Sequence, residues 1–559
     1  MPWKSRWHLD IPPCSLPTYL FGSATAQLDD KPVIIDGEQP EYNLSLHSYR
    51  EWSKRLAVGL KRAGFKPGDR LLLFSGNTIF FSVVQFATIM AGGIFTGANP
   101  TYVAREVAYQ LKDSGATFFI VGEANLDAGL AAAKEVDLPL DRVFSFDNGI
   151  PAFDGKAQGA GGLKSWTSLV ASPQDGASFK WEEFKTHEQM NRCCVLNYSS
   201  GTTGLPKGVE LSHYNYVANC MQVIYVYQLK SDYKDWQKRA RGIAFLPMYH
   251  AYGQTYAGIN YPKMGVPQYL MRKFDLITLC QWIEKYKVTG LSAVPPIVVA
   301  LTKRPEVKSF DLSSLEEVGS GAAPLAKETT AEFEAKFQGK VKVKQGWGMS
   351  EVTCSAMGWE PDMEALSGAV GELNPNVEAQ IVDDNEKEVP IGERGELWVR
   401  GPNICVGYWR KPEETDKTFA PGRWLKTGDI AYRNEDGFLW IVDRKKELIK
   451  VKGLQVAPAE LEGLLLDHPE VDDVAVVGVT INGDEAPRAY AVVKEGSKAT
   501  PKEIAEWMAE RVSRHKRLTG GVVLVKEIPK NPSGKLLRKE LRERAAKEIG
   551  DGSGLQSKL

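Results

Sequence analysis

The stretch Cys193-Cys194-Val195-Leu196-Asn197-Tyr198-Ser199-Ser200-Gly201-Thr202-Thr203-Gly204-Leu205-Pro206-Lys207-Gly208 couples an apolar run to a loop of hydroxyls and glycines. Cys193 to Tyr198 reads as a strand, and the polar loop after it is expected to lead into a helix. Glycines let backbone N–H groups approach an anion, hydroxyls add neutral donors, and Lys207 supplies charge, a combination suited to polyphosphate oxygens. The spacing is not that of G-x-x-x-x-G-K-[S/T], so this is a different phosphate loop. A flexible surface loop would account for the glycines, but not for four hydroxyls and a lysine between two apolar elements.

Outward from this loop, short apolar runs alternate with helical patterns from about residue 50 to 430, as in parallel sheets covered by helices. Examples are 242–247 (GIAFLP) and 290–295 (GLSAVP), the latter with Pro295 and Pro296 opening a helix. In open α/β sheets the loops at the carboxyl ends of strands form the ligand crevice. Between about 370 and 445 strand candidates follow one another without helices (VEAQIVD, RGELWVRG, GFLWIVD), which predicts a small β unit. After Lys446 a compact α+β pattern begins. The predicted fold is thus α/β, with a large N-terminal domain of helix-covered sheets and a small β unit over 1–443, an α+β C-terminal domain over 444–550, and a tail over 551–559. Residues 147–162 are expected to form one surface loop.

The chain has 559 residues, 43% of them hydrophobic and 25% charged, with a net charge of -1, so it is multi-domain and has no basic surplus for a nucleic-acid partner. The basic run Arg514 to Arg517 reads as a solvated face. Seven scattered cysteines without C-x-x-C pairs encode neither a disulfide framework nor a zinc site. The start, MPWKSRWHLD, lacks a secretory pattern, and the apolar stretch Ile79 to Ala98, broken by Ser82, Gln85, Gly92 and Gly93, reads as a buried helix turning into a strand rather than an integral membrane span. The final Ser557-Lys558-Leu559 is the tripeptide read as a peroxisomal address, so the expected localisation is the peroxisome, with its import receptor as partner.

From the quoted loop onward the chain resembles the adenylate-forming superfamily of acyl-CoA synthetases, luciferases and peptide-synthetase adenylation domains, and within it the 4-coumarate–CoA ligase type. The motifs are YSSGTTGLPKGV (198–209), LPMYHAYG (246–253), GSGAAPL (319–325), QGWGMSE (345–351), GELWVRGPNICVGYW (395–409), the TGD to PAELE run (427–462) and PKNPSGKLLRKEL (529–541). The resemblance implies an ATP-dependent acid–thiol ligase with ATP, Mg²⁺ and coenzyme A, acting on a small carboxylic acid. Nucleotide contacts would come from Ser199, Ser200, Gly201, Thr202, Thr203, Gly204 and Lys207, from Gly321, Ala322 and Ala323, and from Gln345, Gly346, Trp347, Gly348 and Ser350. Trp347 would offer a face to adenine, and Trp347 and Ser350 stand where the family usually has Tyr and Thr. Glu351 would hold Mg²⁺.

By the same resemblance Asp429 would accept from the ribose hydroxyls with Arg444 beside it, and Lys535 would meet the α-phosphate and acyl carboxylate. His250, Tyr252 and Gly253 would border the acyl pocket. Lys446 would be the hinge about which a mobile C-terminal domain exchanges Lys535 for Lys450, Lys452, Gly453 and Gln455 in the thioester step. No protein nucleophile is needed, since coenzyme A brings its own thiol and G-x-S-x-G and H-E-x-x-H are absent. The acid is expected to be aromatic or arylalkanoic, with a medium-chain fatty acid as an alternative. A luciferase-like oxidoreductase sharing the adenylating half-reaction is a further alternative.

Overall fold

Side-chain alternation and non-local pairing build the described N-terminal residues into three large sheets and a two-stranded one, Met357–Gly358 with Glu372–Leu373. The computed structural model describes residues 2–550 apart from 148, 154, 200–204, 322, 324, 326, 452–453, 482–483 and 532–533. In the first sheet the parallel strands Ile94–Ala98, Arg70–Phe74, Phe118–Gly122, Val143–Phe146 and Lys164–Ser165 follow Cys193–Ser199, itself paired to Lys207–Ser212 and then Gly407–Tyr408. The second runs Lys342–Gln345, Glu317–Ser320, Gly290–Ala293, Gly242–Ala244, Gln268–Leu270, Pro32–Asp36, Asn43–Ser45. Strands buried on both faces read as unbroken apolar runs, which is why Leu71 to Phe74 and Phe118 to Val121 carry no polar residue.

The helix Phe81–Met90 is buried at every position and shares one core with side chains from both sheets, including Leu71, Phe95, Val33 and Leu270. Its wholly buried Phe81 and Phe86 each contribute roughly 1.5–3 kcal/mol. The helix ends at a glycine pair: Gly92 has φ +87°, and a side chain on Gly93 would lie 2.2 Å from the Phe65 ring. The chain then enters the strand Ile94–Ala98, the helix-to-strand turn expected for this stretch. No helix among the described residues is long and apolar enough to cross a membrane.

Two local expectations are corrected. The hydroxyl-rich loop does not lead into a helix. Lys207–Ser212 is a strand that pairs antiparallel with Cys193–Ser199, from Lys207 opposite Ser199 to Leu211 opposite Val195, so the loop is a hairpin connection. Alternation puts Val209 and Leu211 into the core, and the helix begins only at His213, with Ser212 accepting from the Asn215 N–H. Within 147–162 there is a short helix, Ile150–Phe153, rather than plain loop, and the Phe153 ring packs on Tyr42, Trp52 and Phe80.

The third sheet is antiparallel and carries Glu378–Val382, Gly395–Arg400, Trp424–Arg433 and Leu439–Arg444. Its last strand runs through a turn at 445–447 into the C-terminal α+β unit. There the hairpin Ile449–Val451/Leu454–Val456 precedes a sheet of Val471–Ile481, Asp484–Val493 and Val522–Leu524, packed by the helices Pro458–Leu466, Pro501–Ala509 and Arg538–Ile549.

Candidate active site

Register places the first pair of functional side chains. Asp429 and Arg444 stand directly opposite on adjacent antiparallel strands. Arg444 Nε lies 2.7 Å from Asp429 Oδ1, and the indole N–H of Trp347 donates to Asp429 Oδ2 at 2.7 Å. The carboxylate is buried, and burial raises its pKa despite the opposing pull of Arg444, the indole hydrogen bond and Lys535. Trp347 is thereby fixed edge-on to the carboxylate while part of it lines the main cavity. Gly348 follows because a side chain there would fall 1.7 Å from the Cys354 carbonyl oxygen.

Beside the hydroxyl-rich loop, Lys207 forms an ion pair with Glu414 and its ammonium lies 5.0 Å from the centre of the Tyr408 ring. The Tyr408 hydroxyl donates to Glu351 Oε1 at 2.9 Å. Burial, then the Glu351 charge, pushes the Tyr408 phenol up, so it remains a donor. Glu351 is buried and has its second oxygen uncommitted among the described hydrogen bonds. Ser350, also buried, opens the same short 3₁₀ turn. Behind the loop, Asp113 accepts from the Tyr198 hydroxyl at 2.8 Å and pairs with Lys411, while the Tyr109 hydroxyl donates to the Pro206 carbonyl at 2.9 Å, bracing both ends of the hairpin connection.

A cavity of about 250 Å³ opens along the carboxyl ends of the second sheet. His250 and Tyr252 line it, as do Gly321, Gln345, Gly346 and Trp347. The aromatic wall is Tyr227, Tyr252, Tyr256, Tyr261 and Trp359, with Tyr252 and Tyr256 stacked at 4.2 Å. They sit around the π-helical segment Gly253–Asn260, a geometry frequent at functional sites. Burial, then the Lys535 charge, lowers the His250 pKa to about 4, so its imidazole is neutral at physiological pH. Gly253 faces a smaller neighbouring void and packs against the Pro247 carbonyl, so it does not line the main cavity. Gln345 spends its amide on the Leu325 N–H and carbonyl, at 2.9 and 3.2 Å, closing the glycine-rich turn that carries Gly321 and Ala323.

Lys535 reaches this centre from the C-terminal unit. Next to it, Gly534 approaches Val294 and Pro296 of the N-terminal region. Lys535 keeps solvent contact in the cleft, yet burial and the Arg444 charge lower its pKa, while Asp429, Glu351 and Glu447 pull the other way. No ion pair holds it among the described residues. Lys446 is exposed in the turn at 445–447, between Lys445, whose ammonium lies 3.0 Å from Asp384 and 3.1 Å from Glu396, and Glu447, which pairs with Arg542. Lys450 and Gln455 are exposed on the hairpin, the Lys450 N–H donating to Glu485 at 2.6 Å, and they are not brought to the cavity. Ser199 ends its strand opposite Lys207. Ser200, Gly201, Thr202, Thr203, Gly204, Ala322, Lys452, Gly453 and the 551–559 tail lie outside the described residues.

Sequence reasoning missed Tyr408 and Glu414, which hold Glu351 and Lys207, and the wall residues Tyr227, Tyr256, Tyr261, Ser292, Glu317 and Lys344. Tyr252, Tyr256 and Tyr261 recur at near-helical spacing and were a usable signal. The others come from separate strands and helices and carry none.

Residues 21–409 match the family described as "AMP-binding enzyme", and 460–535 match its "AMP-binding enzyme C-terminal domain". The chain is 34% identical to "Phenylacetyl-CoA ligase epaB" of Aspergillus niger, covering 98% of this chain and 100% of that protein. It is 36% identical to "4-coumarate--CoA ligase 1" of Petroselinum crispum, covering 95% and 94%. Among solved structures, ATP-bound MatB from Rhodopseudomonas palustris superposes with a TM-score of 0.80 at 26% identity, covering 96% of this chain and 99% of that one. An anthranilate CoA ligase, AuaEII, shares the fold with a TM-score of 0.84, covering 97% and 99%, at 23% identity. With one cleft joining a carboxylate–arginine pair, a lysine from the C-terminal unit and an aromatic cavity, and with these relatives spanning nearly its whole length, the chain belongs to the AMP-binding, adenylate-forming enzyme family as one of its AMP-forming acyl-CoA ligases.

Proposed function

We propose that the chain activates an aromatic or arylalkanoic acid and delivers it to coenzyme A. The observation that carries this reading is the aromatic wall of the cavity, whose mouth holds His250 and lies within the field of Lys535. The names of two relatives, a phenylacetyl-CoA ligase and a 4-coumarate–CoA ligase, point the same way. In the first step a carboxylate oxygen of the acid attacks the α-phosphorus of ATP, forming the P–O bond of the acyl-adenylate as pyrophosphate leaves. Asp429, held in place by Arg444 and Trp347, accepts from the ribose hydroxyls. Lys535 offsets the repulsion between the two reacting anions. Neutral His250 adds no charge beside the carboxylate. Glu351 fits a Mg²⁺ site, with one oxygen fixed by Tyr408 and one free, and the ion would neutralise triphosphate charge there.

In the second step the coenzyme A sulfur attacks the acyl carbonyl carbon, AMP leaves, and the thiol proton passes to solvent. Lys450, Lys452, Gly453 and Gln455 serve this step after rotation about Lys446, and the protein works in the peroxisome, addressed by Ser557-Lys558-Leu559. The test is coenzyme A-dependent AMP and thioester formation across cinnamic, phenylacetic, benzoic and medium-chain fatty acids. An aryl preference supports the proposal. A chain-length optimum without one replaces it with a fatty acyl ligase, and adenylate without thioester on any acid refutes it.

A further inference from the structure

The helix Pro458–Leu466 opens without a cap of its own. Ala457 stands at its N-cap position with no side chain able to accept, and Pro458 has no N–H, so the first donor left over is the Ala459 N–H. Asp443 serves it: the Ala459 N–H donates to Asp443 Oδ2 at 3.0 Å, while Asp443 Oδ1 accepts from the Arg444 N–H at 2.7 Å. Asp443 is buried on the last strand of the third sheet, before Lys446 in the chain, and Ala459 comes after it. The cap of a C-terminal helix is therefore supplied by the N-terminal region.

Little else that is polar joins the two sides of Lys446. Among the described residues the other side-chain hydrogen bond that crosses runs from the exposed Lys303 to the Leu466 carbonyl at 3.1 Å, and no ion pair crosses. The apolar contact beside the hinge is small, with Ile430 and Val442 on the sheet side packing against Leu448 and Ala457 on the other. The capped helix in turn reaches Lys535. Its Glu462 is buried, accepts from the Val476 N–H at 2.8 Å and pairs with Arg538 at 2.5 Å. Arg538 opens the helix Arg538–Ile549 just after the loop that carries Lys535, where the Asn531 side chain accepts from the Lys535 N–H at 2.9 Å. Burial raises the Asp443 pKa, and the Arg538 charge, with the two N–H donors, draws it back. Asp443 thus holds the helix, the helix holds Arg538, and Arg538 sets where Lys535 stands.

Rotation about Lys446 would carry Ala459 away from Asp443 and leave a helix N-terminus and a buried carboxyl each without its partner. A helix cap shifts an equilibrium by a factor of roughly 2 to 30. We propose that Asp443 is a positioning residue for the adenylation step: it caps the helix Pro458–Leu466 from across the hinge and so selects the pose that presents Lys535. The inference rests on the two-step ligase reading above.

The experiment uses the full chain and the acid that the wild type turns over fastest, and measures pyrophosphate release, thioester formation from isolated acyl-adenylate, and the urea midpoint. D443A should slow pyrophosphate release by about 10-fold and leave thioester formation within about 3-fold of wild type. D443N, which keeps an acceptor for the Ala459 N–H, should retain most of the first step. The deciding variant combines D443A with A457S, which gives the helix its own cap, since Ala457 already has the extended backbone of an N-cap residue, φ -83° and ψ 118°. A local cap travels with the helix in every pose, so the double variant should regain the urea midpoint lost in D443A but not the lost pyrophosphate release, and it serves if D443A alone does not fold. Recovery of both together would make Asp443 a support of helix stability alone and overturns the proposal, as does an equal loss of both steps in D443A. If the wild type forms no thioester from any acid, the ligase reading fails instead, which is a separate outcome.

Discussion

Replacing Lys535 by alanine should separate the two half-reactions. Two unit charges about 4 Å apart at an effective dielectric of about 20 interact by about 4 kcal/mol. Lys535 stands in a cleft that water enters, so screening reduces this figure, and the expected loss in pyrophosphate release is about 100- to 1000-fold, the range seen on removing one preorganised donor. Thioester formation from pre-formed acyl-adenylate should stay within about 3-fold, because Lys450 and Gln455 lie on a hairpin with which Lys535 shares no hydrogen bond or ion pair among the described residues. The assay is continuous pyrophosphate release for the first step and thioester formation from isolated adenylate for the second. Equal losses in both steps, or pyrophosphate release within about 5-fold of wild type, would refute the reasoning. The sign of the pH dependence follows from the same environment. Lys535 acts as a cation, and burial with Arg444 lowers its pKa from 10.5, so adenylation should fall on the alkaline side at a pH below that of free lysine. K535R, permanently charged, should lose that limb.

W347F removes the indole N–H from Asp429 and leaves the buried carboxylate with Arg444 alone; stability should fall by about 1.5–3 kcal/mol, read from the urea midpoint, and an unchanged midpoint would count against the hydrogen bond. K446P stiffens a turn whose Lys446 N–H makes no described backbone hydrogen bond, so adenylate should still form while thioester production drops by about 10-fold or more; proportional loss of both would argue against a hinge there. A fluorescent fusion keeping Ser557-Lys558-Leu559 exposed should appear in peroxisomes and become diffuse when the three residues are deleted. A diffuse signal from the intact tail would dismiss the address.

The alternation of apolar runs and helical patterns was legible because burial on both faces removes polar residues from strands such as Phe118–Gly122. The hairpin after the hydroxyl-rich loop was not. Lys207–Ser212 looks locally like an approach to the helix at His213, and only its pairing with Cys193–Ser199 and with Gly407–Tyr408, far away in sequence, makes it a strand. Phe153 likewise needed Trp52 and Phe80, both far earlier in the chain, to draw part of a glycine-rich stretch inward. At the site, Asp429 and Arg444 could be linked through motif resemblance, while the physical reason for their pairing is a strand register that no local pattern states. Glu317 was invisible for a related reason. In sequence it is one of two adjacent glutamates at the start of a short strand, and nothing local says that Glu316 pairs with Arg239 while Glu317 faces a void opened by glycines on its own and a neighbouring strand.

The Lys207–Glu414 pair gives the nucleotide site a resident counter-anion. The lysine that polyphosphate would engage is already matched by a tethered carboxylate, which competes as an intramolecular ligand at an effective concentration on the order of millimolar or above. A singly charged anion, including the acid substrate itself, gains little by displacing it. A triphosphate would bring enough charge to make the exchange favourable, and in doing so would free Glu414, on the helix Pro412–Thr418 that directly follows Tyr408, Trp409, Arg410 and Lys411. Occupancy of the phosphate loop would thereby be transmitted to the segment that fixes Glu351, and the order in which anions enter the cleft would be set by valence before shape is consulted.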